Sequence, residues 1–149
     1  MCGLPDRARA RPGRDRHRTR GIYPDVDEKG FHGEVQLQKP NALWKHAISL
    51  TGGRYTTSNK WTDDLLVRWS DGEVTLYTDV NRDGFHGEIQ VKKPNRLWTH
   101  ATLLGAGDYT ENRHPDDFLV RWSDGEVSMY PDADETGLNR EITLVYPPA

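Results

Sequence analysis

The sequence has few of the features that define several common protein classes. Cys2 is its single cysteine, so an internal disulfide bond is excluded and the redox compartment cannot be inferred from cysteine usage. No run approaches the roughly 20 apolar residues of a membrane-spanning helix, so no membrane insertion is expected. No segment has a helical period long enough to predict a helix. What remains is a surface-rich chain of about one domain's length.

Catalytic motifs are also missing. No serine lies in a nucleophile elbow, and no histidine has a partner arrangement typical of a general base. The sequence therefore predicts a protein that is not an enzyme.

Residues 1–20 differ in composition from the rest of the chain. They carry seven arginines but no apolar h-region and no hydrophobic period, so we predict a disordered leader and no signal peptide. One interpretation is an arm that neutralises nucleic-acid phosphates. The other, a solvated tail or a misassigned start, is favoured because no aromatic residue is interleaved and the remaining chain is acidic. Nucleic acid is therefore not the expected partner.

The most informative feature is an internal repeat. Residues 64–77 return as residues 117–130, both with the pattern Asp-[Leu/Phe]-Leu-Val-Arg-Trp-Ser-Asp-Gly-Glu-Val-[Thr/Ser]-[Leu/Met]-Tyr. Apolar residues alternate on either side of Ser-Asp-Gly, which predicts a β-hairpin with a tight turn. The repeat length is 54 residues from Trp44 to Trp98 and 53 from Trp69 to Trp122.

Residues 21–149 form the predicted folded region, with repeats over about 23–76 and 77–129 and a partial repeat over 130–146. Each repeat is predicted to hold four short strands, including one at 44–50 or 98–104. We predict an all-β chain of antiparallel four-stranded blade repeats, about two and a half blades of a β-propeller. Because propellers close with about four to eight blades, we expect either a fragment of a longer protein or self-association that completes the ring.

The motif Asp-Asp-[Leu/Phe]-Leu-Val-Arg-Trp-Ser-Asp-Gly-Glu-Val at 63–74 and 116–127, with Gly-Phe-His-Gly-Glu at 30–34 and 84–88, resembles the FG-GAP/VCBS-type propeller repeats of secreted actinobacterial proteins. The resemblance implies an extracellular location and a binding or spacing role. Family members often have a calcium loop before the first blade strand. The corresponding stretch, 107–117, retains Asp108 and Asn112 but has Thr110 and Arg113 where an acid and a glycine are expected, so this site is expected to be largely lost.

A second acidic segment occurs three times, each time before a glycine. Oxygen-bearing side chains at alternate positions are typical of Ca²⁺ sites, but Asp-Gly pairs are equally typical of plain hairpin turns. The turn is favoured and calcium stays open. The candidate ligands are Asp25 and Asp27, then Asp79, Asn81 and Asp83, then Asp132 and Asp134.

Three tryptophans are candidates for stacking on a ligand. Trp44 and Trp98 follow Pro-Asn loops, where an exposed ring could stack on a sugar, although packing is favoured. Trp61 lacks a counterpart in the second repeat and is the freest to contact a ligand. Trp69 and Trp122 alternate with apolar strand residues, which predicts core packing.

The leading functional hypothesis is a non-catalytic propeller module for adhesion or carbohydrate binding. The alternative is an accessory segment of a secreted hydrolase whose catalytic domain lies outside this chain.

Overall fold

A computed structural model describes residues 20–57 and 63–149, which form twelve β-strands and two short 3₁₀ turns. The prediction of an all-β chain with antiparallel sheets is confirmed. Residues 1–19 and Trp61 lie outside the described residues, so the predictions for the leader and for Trp61 stay predictions. Within the described residues, no helix has the length and apolar character that crossing a membrane requires.

Two four-stranded antiparallel sheets dominate the fold, and each runs in simple sequence order. Before them, β1 (Arg20–Ile22) pairs with β4 (Val35–Gln38), and β2 (Asp25–Asp27) pairs with β3 (Gly30–His32). Sheet I contains β5 (Ala47–Gly53), β6 (Asp64–Trp69), β7 (Val74–Thr78) and β8 (Gly87–Lys92). Sheet II contains β9 (Ala101–Gly107), β10 (Asp117–Trp122), β11 (Val127–Tyr130) and β12 (Ile142–Val145).

The predicted hairpins form as β6–β7 and β10–β11. In the first of them, Gly72 has a φ of +85° and donates its N–H to the Trp69 carbonyl at 3.0 Å. A Cβ at Gly72 would lie 2.0 Å from the Asn95 carbonyl oxygen, so the next loop is packed directly against the turn. Glycine is required there for both its conformation and its size.

The sheets are offset from the sequence repeats. Residues 130–146, predicted as a partial third repeat, contain β12, which pairs with β11 and completes sheet II. The incomplete sheet lies before sheet I and consists of β1 and β4. These two strands correspond to β7 and β8, because Ile22 pairs with Val35 in the same way that Leu76 pairs with Ile89, 54 residues later. A repeating sequence does not indicate which strand opens a sheet, and this explains the offset.

The strands predicted at 44–50 and 98–104 start later than expected. Trp44–His46 and Leu97–His100 are 3₁₀ turns, and the strands begin at Ala47 and Ala101. The cause is a side-chain cap: the Asn41 Oδ1 atom accepts the Trp44 N–H at 2.8 Å, and Asn95 does the same for Trp98 at 3.0 Å.

The two sheets pack against each other through a shared core that combines Leu66, Val74 and Leu76 of sheet I with Phe118 and Val120 of sheet II. Polar contacts also cross the interface. The buried Arg68 guanidinium donates to the Ala101 carbonyl, and the Ala106 N–H donates to Thr51 Oγ1 at 2.9 Å.

The equivalent surface of sheet II has no such cover within the described residues. Leu119, Arg121, Val127 and Met129 match the side chains of sheet I that are buried at the interface, yet Arg121 is exposed and the others are only half-buried. Leu103, opposite Arg121 on β9, is 60% exposed. We call this surface the outer face of sheet II.

One buried aspartate in each sheet fixes the neighbouring loops. The Asp64 carboxylate accepts three backbone N–H groups at 2.7–3.1 Å, from Tyr55, Thr56 and Asp79. The Asp117 carboxylate accepts three equivalent backbone N–H groups at 2.7–2.9 Å. These charge-assisted bonds satisfy a carboxylate that would otherwise be costly to bury.

Candidate functional site

Each sheet carries a pocket beside its hairpin turn, and the two pockets have nearly the same lining. Their volumes are about 420 Å³ and about 520 Å³. Pocket I belongs to sheet I and pocket II to sheet II. Pocket I is lined by Leu43, His46, Trp69, Ser70, Asp71, Glu73, Tyr77 and Glu88. Pocket II is lined by Leu97, His100, Trp122, Ser123, Asp124, Glu126 and Glu141.

The correspondence is residue by residue. Every lining residue of pocket II lies 54 or 53 positions after a lining residue of pocket I, which are the two spacings of the sequence repeat. The match includes polar, exposed side chains, which packing alone does not demand. The repeat therefore reproduces a surface cavity as well as a sheet.

The rim of each pocket is held by the 3₁₀ turn. In pocket I the Ser70 N–H donates to the His46 carbonyl at 2.8 Å, and the His46 Nδ1 atom lies 3.2 Å from Ser70 Oγ. In pocket II the same two contacts join Ser123 and His100 at 2.9 and 3.1 Å. Both imidazoles are therefore fixed at the surface.

The pocket floor is a hydrogen-bonded chain that starts from the buried indole. In pocket I, Trp69 Nε1 donates to Thr75 Oγ1 at 2.8 Å, and this hydroxyl donates to Glu73 Oε1 at 2.8 Å. In pocket II, Trp122 Nε1 donates to Ser128 Oγ at 3.1 Å, and the hydroxyl donates to Glu126 at 2.8 Å. Each chain fixes an indole and a carboxylate relative to one another.

A tyrosine supports a further carboxylate in each sheet. Burial raises the pKa of Tyr77 to about 12, and the nearby charge of Glu88 and a hydrogen bond to it contribute. Tyr130 is affected in the same direction, with burial as the main cause and the hydrogen bond to Glu141 next, so its pKa is also raised. Each tyrosine stays protonated at neutral pH and can donate to its glutamate.

The tryptophans predicted as ligand contacts lie behind the pockets. Trp44 is 6% exposed and Trp98 is 3% exposed. Their rings contact Trp69 and Trp122 edge-on, with centroids 5.2 and 5.3 Å apart. Trp44 and Trp98 are therefore packed in the core, which was the favoured of the two interpretations, and their rings present no open face for a sugar.

The acidic segments have the contacts of turns. Asp27, Asn81 and Asp134 occupy matching positions, and each side chain accepts the backbone N–H two residues further on at 2.7–2.8 Å. Within the described residues, none of these turns brings three acidic or histidine side chains to metal-binding distance of one another. For Asp27, Asn81 and Asp134 these contacts are those of plain turns. For Asp25, Asp79, Asp83 and Asp132 the calcium interpretation stays a prediction.

Asp132 instead meets Asp116 and Asp117, and carboxylate oxygens of the three lie within 4.8 Å of one another. These three carboxylates supply only part of a Ca²⁺ shell, which needs about six to eight oxygen ligands. Both Asp117 oxygens already accept backbone N–H groups, and Asn112 presents its amide nitrogen to Asp132 at 2.9 Å. The Asp108 oxygens, expected from the calcium-loop resemblance, also accept backbone N–H groups.

Two short patterns in the sequence mark the pockets independently of the aromatic residues. Leu-x-x-His at 43–46 and 97–100, and Ser-Asp-Gly-Glu at 70–73 and 123–126, are polar patterns kept in both repeats. Only the folded chain shows that the two patterns meet, because they lie more than 20 residues apart in sequence.

Comparisons with protein-family models, curated proteins and solved structures find no match to this chain, so the functional argument rests on its internal repeat.

Proposed function

We propose that the chain is a non-catalytic ligand-binding module with two equivalent binding sites, pockets I and II. The observation that carries this proposal is the repetition of a whole pocket lining, including exposed polar residues, at the spacing of the repeat. Two sites per chain favour multivalent attachment to a repetitive ligand, in which weak single contacts combine.

A carbohydrate is the ligand class that fits this lining best. The exposed side chain of Leu43 supplies apolar surface, while carboxylates and an imidazole supply hydrogen-bond acceptors. Sugars combine an apolar ring face with many hydroxyl donors, so both components are used. The volumes fall within the range of about 300–1,000 Å³ typical of small-ligand sites.

A binding role is supported over hydrolysis by the surroundings of the Ser–His pairs. In each pair Nδ1 of the imidazole contacts the serine, but within the described residues no carboxylate hydrogen-bonds the other ring nitrogen of His46 or His100. A general base for a serine nucleophile requires such an orienting group.

The two sheets are proposed to be propeller blades of the FG-GAP/VCBS type in an extracellular protein. Four-stranded antiparallel order, a shared core between successive sheets and the repeated motif support this proposal. A carbohydrate-binding pair of blades would also suit an accessory segment of a secreted hydrolase, because such a segment keeps the catalytic domain close to its polymeric substrate.

We further propose that a second copy of the chain covers the outer face of sheet II. Inside the chain, the matching face of sheet I is covered by a sheet of the same type, with Arg68 donating to a carbonyl of the covering strand. The outer face of sheet II repeats three of the four matching residues of sheet I, including Arg121, and has Met129 where sheet I has Leu76, so it continues the sheet–sheet interface within the chain.

The binding proposal is tested by screening an immobilised panel of oligosaccharides with the full chain. The variant carrying both His46→Ala and His100→Ala is expected to lose at least about tenfold in affinity for any hit, equivalent to about 1.4 kcal/mol. His86→Ala is the matched control, because His86 is exposed but lines neither pocket. Absence of any hit, or equal loss in the control, would refute the proposal.

A further inference from the structure

The charge of the two pockets restricts the ligand further. No lysine or arginine is present among the residues that line either pocket, whereas each pocket includes one aspartate and two glutamates. Within residues 20–57 and 63–149, no ion pair joins a cation to these six carboxylates. Within these described ranges their negative charge is therefore not paired with a cationic side chain.

The partners that these carboxylates do have are neutral donors. Glu73 accepts from the Thr75 hydroxyl and from Gln90 Nε2 at 2.7 Å, and Asp71 accepts the Glu73 N–H at 3.0 Å. Neutral hydrogen bonds hold the carboxylates in position but leave their charge in the pocket. Anionic ligands such as uronic acids, phosphates and nucleic acids would be repelled.

We infer that pockets I and II bind a sugar that carries a free, protonated amino group, and this inference rests on the proposed carbohydrate-binding function. The ammonium of a hexosamine would neutralise the exposed carboxylate of Glu88 or Glu141, while the apolar face of its ring would lie against the exposed leucine of the same pocket, Leu43 or Leu97.

Calorimetric titration of the full chain with three oligosaccharides and one polyamine tests this inference. The probes are glucosamine tetramers with free amines, the fully N-acetylated tetramer, cellotetraose, and spermidine as an amine without a sugar ring. We expect the free-amine tetramer to bind at least about tenfold more tightly than the others. We also expect its affinity to fall as salt rises from about 0.01 M to about 0.15 M, because exposed charges are screened.

The variant carrying both Glu88→Gln and Glu141→Gln should lose the preference for the free-amine tetramer over the acetylated one, together with the salt dependence. Glu111→Gln is the control for net charge, since Glu111 is exposed and lines neither pocket. Equal affinity for acetylated and free-amine tetramers would overturn the cationic inference and leave the carbohydrate proposal standing. Equal binding of spermidine would overturn the sugar component, and no binding of any probe would overturn both proposals.

Discussion

At the scale of single residues, the buried aspartates Asp64 and Asp117 show how the chain keeps irregular loops in place. A carboxylate has two acceptor oxygens, whereas asparagine, of the same size, has one and carries an NH₂ donor in place of the other. The aspartates stand at the start of β6 and β10, where they reach both the preceding loop and the segment after the hairpin.

Replacing Asp117 by asparagine is expected to lower the free energy of unfolding by about 3 kcal/mol, because an amide NH₂ would face N–H donors in a buried site. Asp64→Asn should have a similar effect, and Asp83→Asn, in an exposed turn, should change stability by less than about 0.5 kcal/mol. Urea unfolding at pH 7 measures all three. Equal stability of Asp117→Asn and the wild type would contradict the assigned role.

The buried tyrosines predict a loss of stability at alkaline pH. Burial raises the pKa values of Tyr55, Tyr77 and Tyr130 above the ordinary value of 10, and that of Tyr77 is raised to about 12. Below pH 10 the phenols are protonated in both folded and unfolded states. Above pH 10 the unfolded state releases protons that the folded state retains, so the free energy of unfolding should fall as pH rises towards 12.

Urea titrations at intervals between pH 8 and about pH 11.5 would show this fall. Tyr77→Phe should make the dependence shallower, because one of the shifted groups is removed. A free energy of unfolding that stays constant across this interval would be inconsistent with tyrosines held protonated by burial.

At the scale of elements, the hairpins were the most predictable part of the fold. Apolar residues alternate on both sides of Ser-Asp-Gly. Only one register of the two strands places the apolar residues of both on the same face of the hairpin. The 3₁₀ turns at Trp44–His46 and Leu97–His100 were not predicted, because the deciding contact is a side-chain cap from asparagine and the following residues look like strand. Trp44 and Trp98 are buried through those turns, and the histidines and leucines beside them reach the pockets.

The acidic turns carry a prediction about calcium. Because Asp27, Asn81 and Asp134 each cap a backbone N–H, we expect the turns to be stable without metal. Addition of Ca²⁺, or of a chelator, should leave the Tm unchanged within about 1 °C, against the shift of about 2–4 °C that 1 kcal/mol produces in a domain of about 150 residues. A rise in Tm that depends on Ca²⁺ concentration would restore the calcium interpretation.

At the scale of the whole molecule, the two sheets are equivalent in sequence but not in surroundings. Leu104 of sheet II is 9% exposed, whereas its counterpart Leu50 of sheet I is 43% exposed. Arg68 is buried at the interface, and its counterpart Arg121 is exposed. The repeat predicted equal sheets, and only their order in the stack determines which faces are covered.

Self-association through the outer face of sheet II gives a direct prediction. Light scattering should find a mass above that of the 17.0 kDa monomer, and Leu103→Glu should shift the population towards the monomer because a charge would enter the interface. Val26→Glu is the control, since Val26 is 59% exposed but lies on β2, away from this face. A monomeric wild type at all concentrations would refute the proposed interface.

The central claim is that the repeat produces two independent and equivalent binding sites, and the stoichiometry of ligand binding measured by calorimetry tests it most directly. With the best-binding oligosaccharide, we expect two equivalent sites per chain in the wild type and one in each of the single variants His46→Ala and His100→Ala. A single site in the wild type, or loss of all binding in either single variant, would contradict the claim.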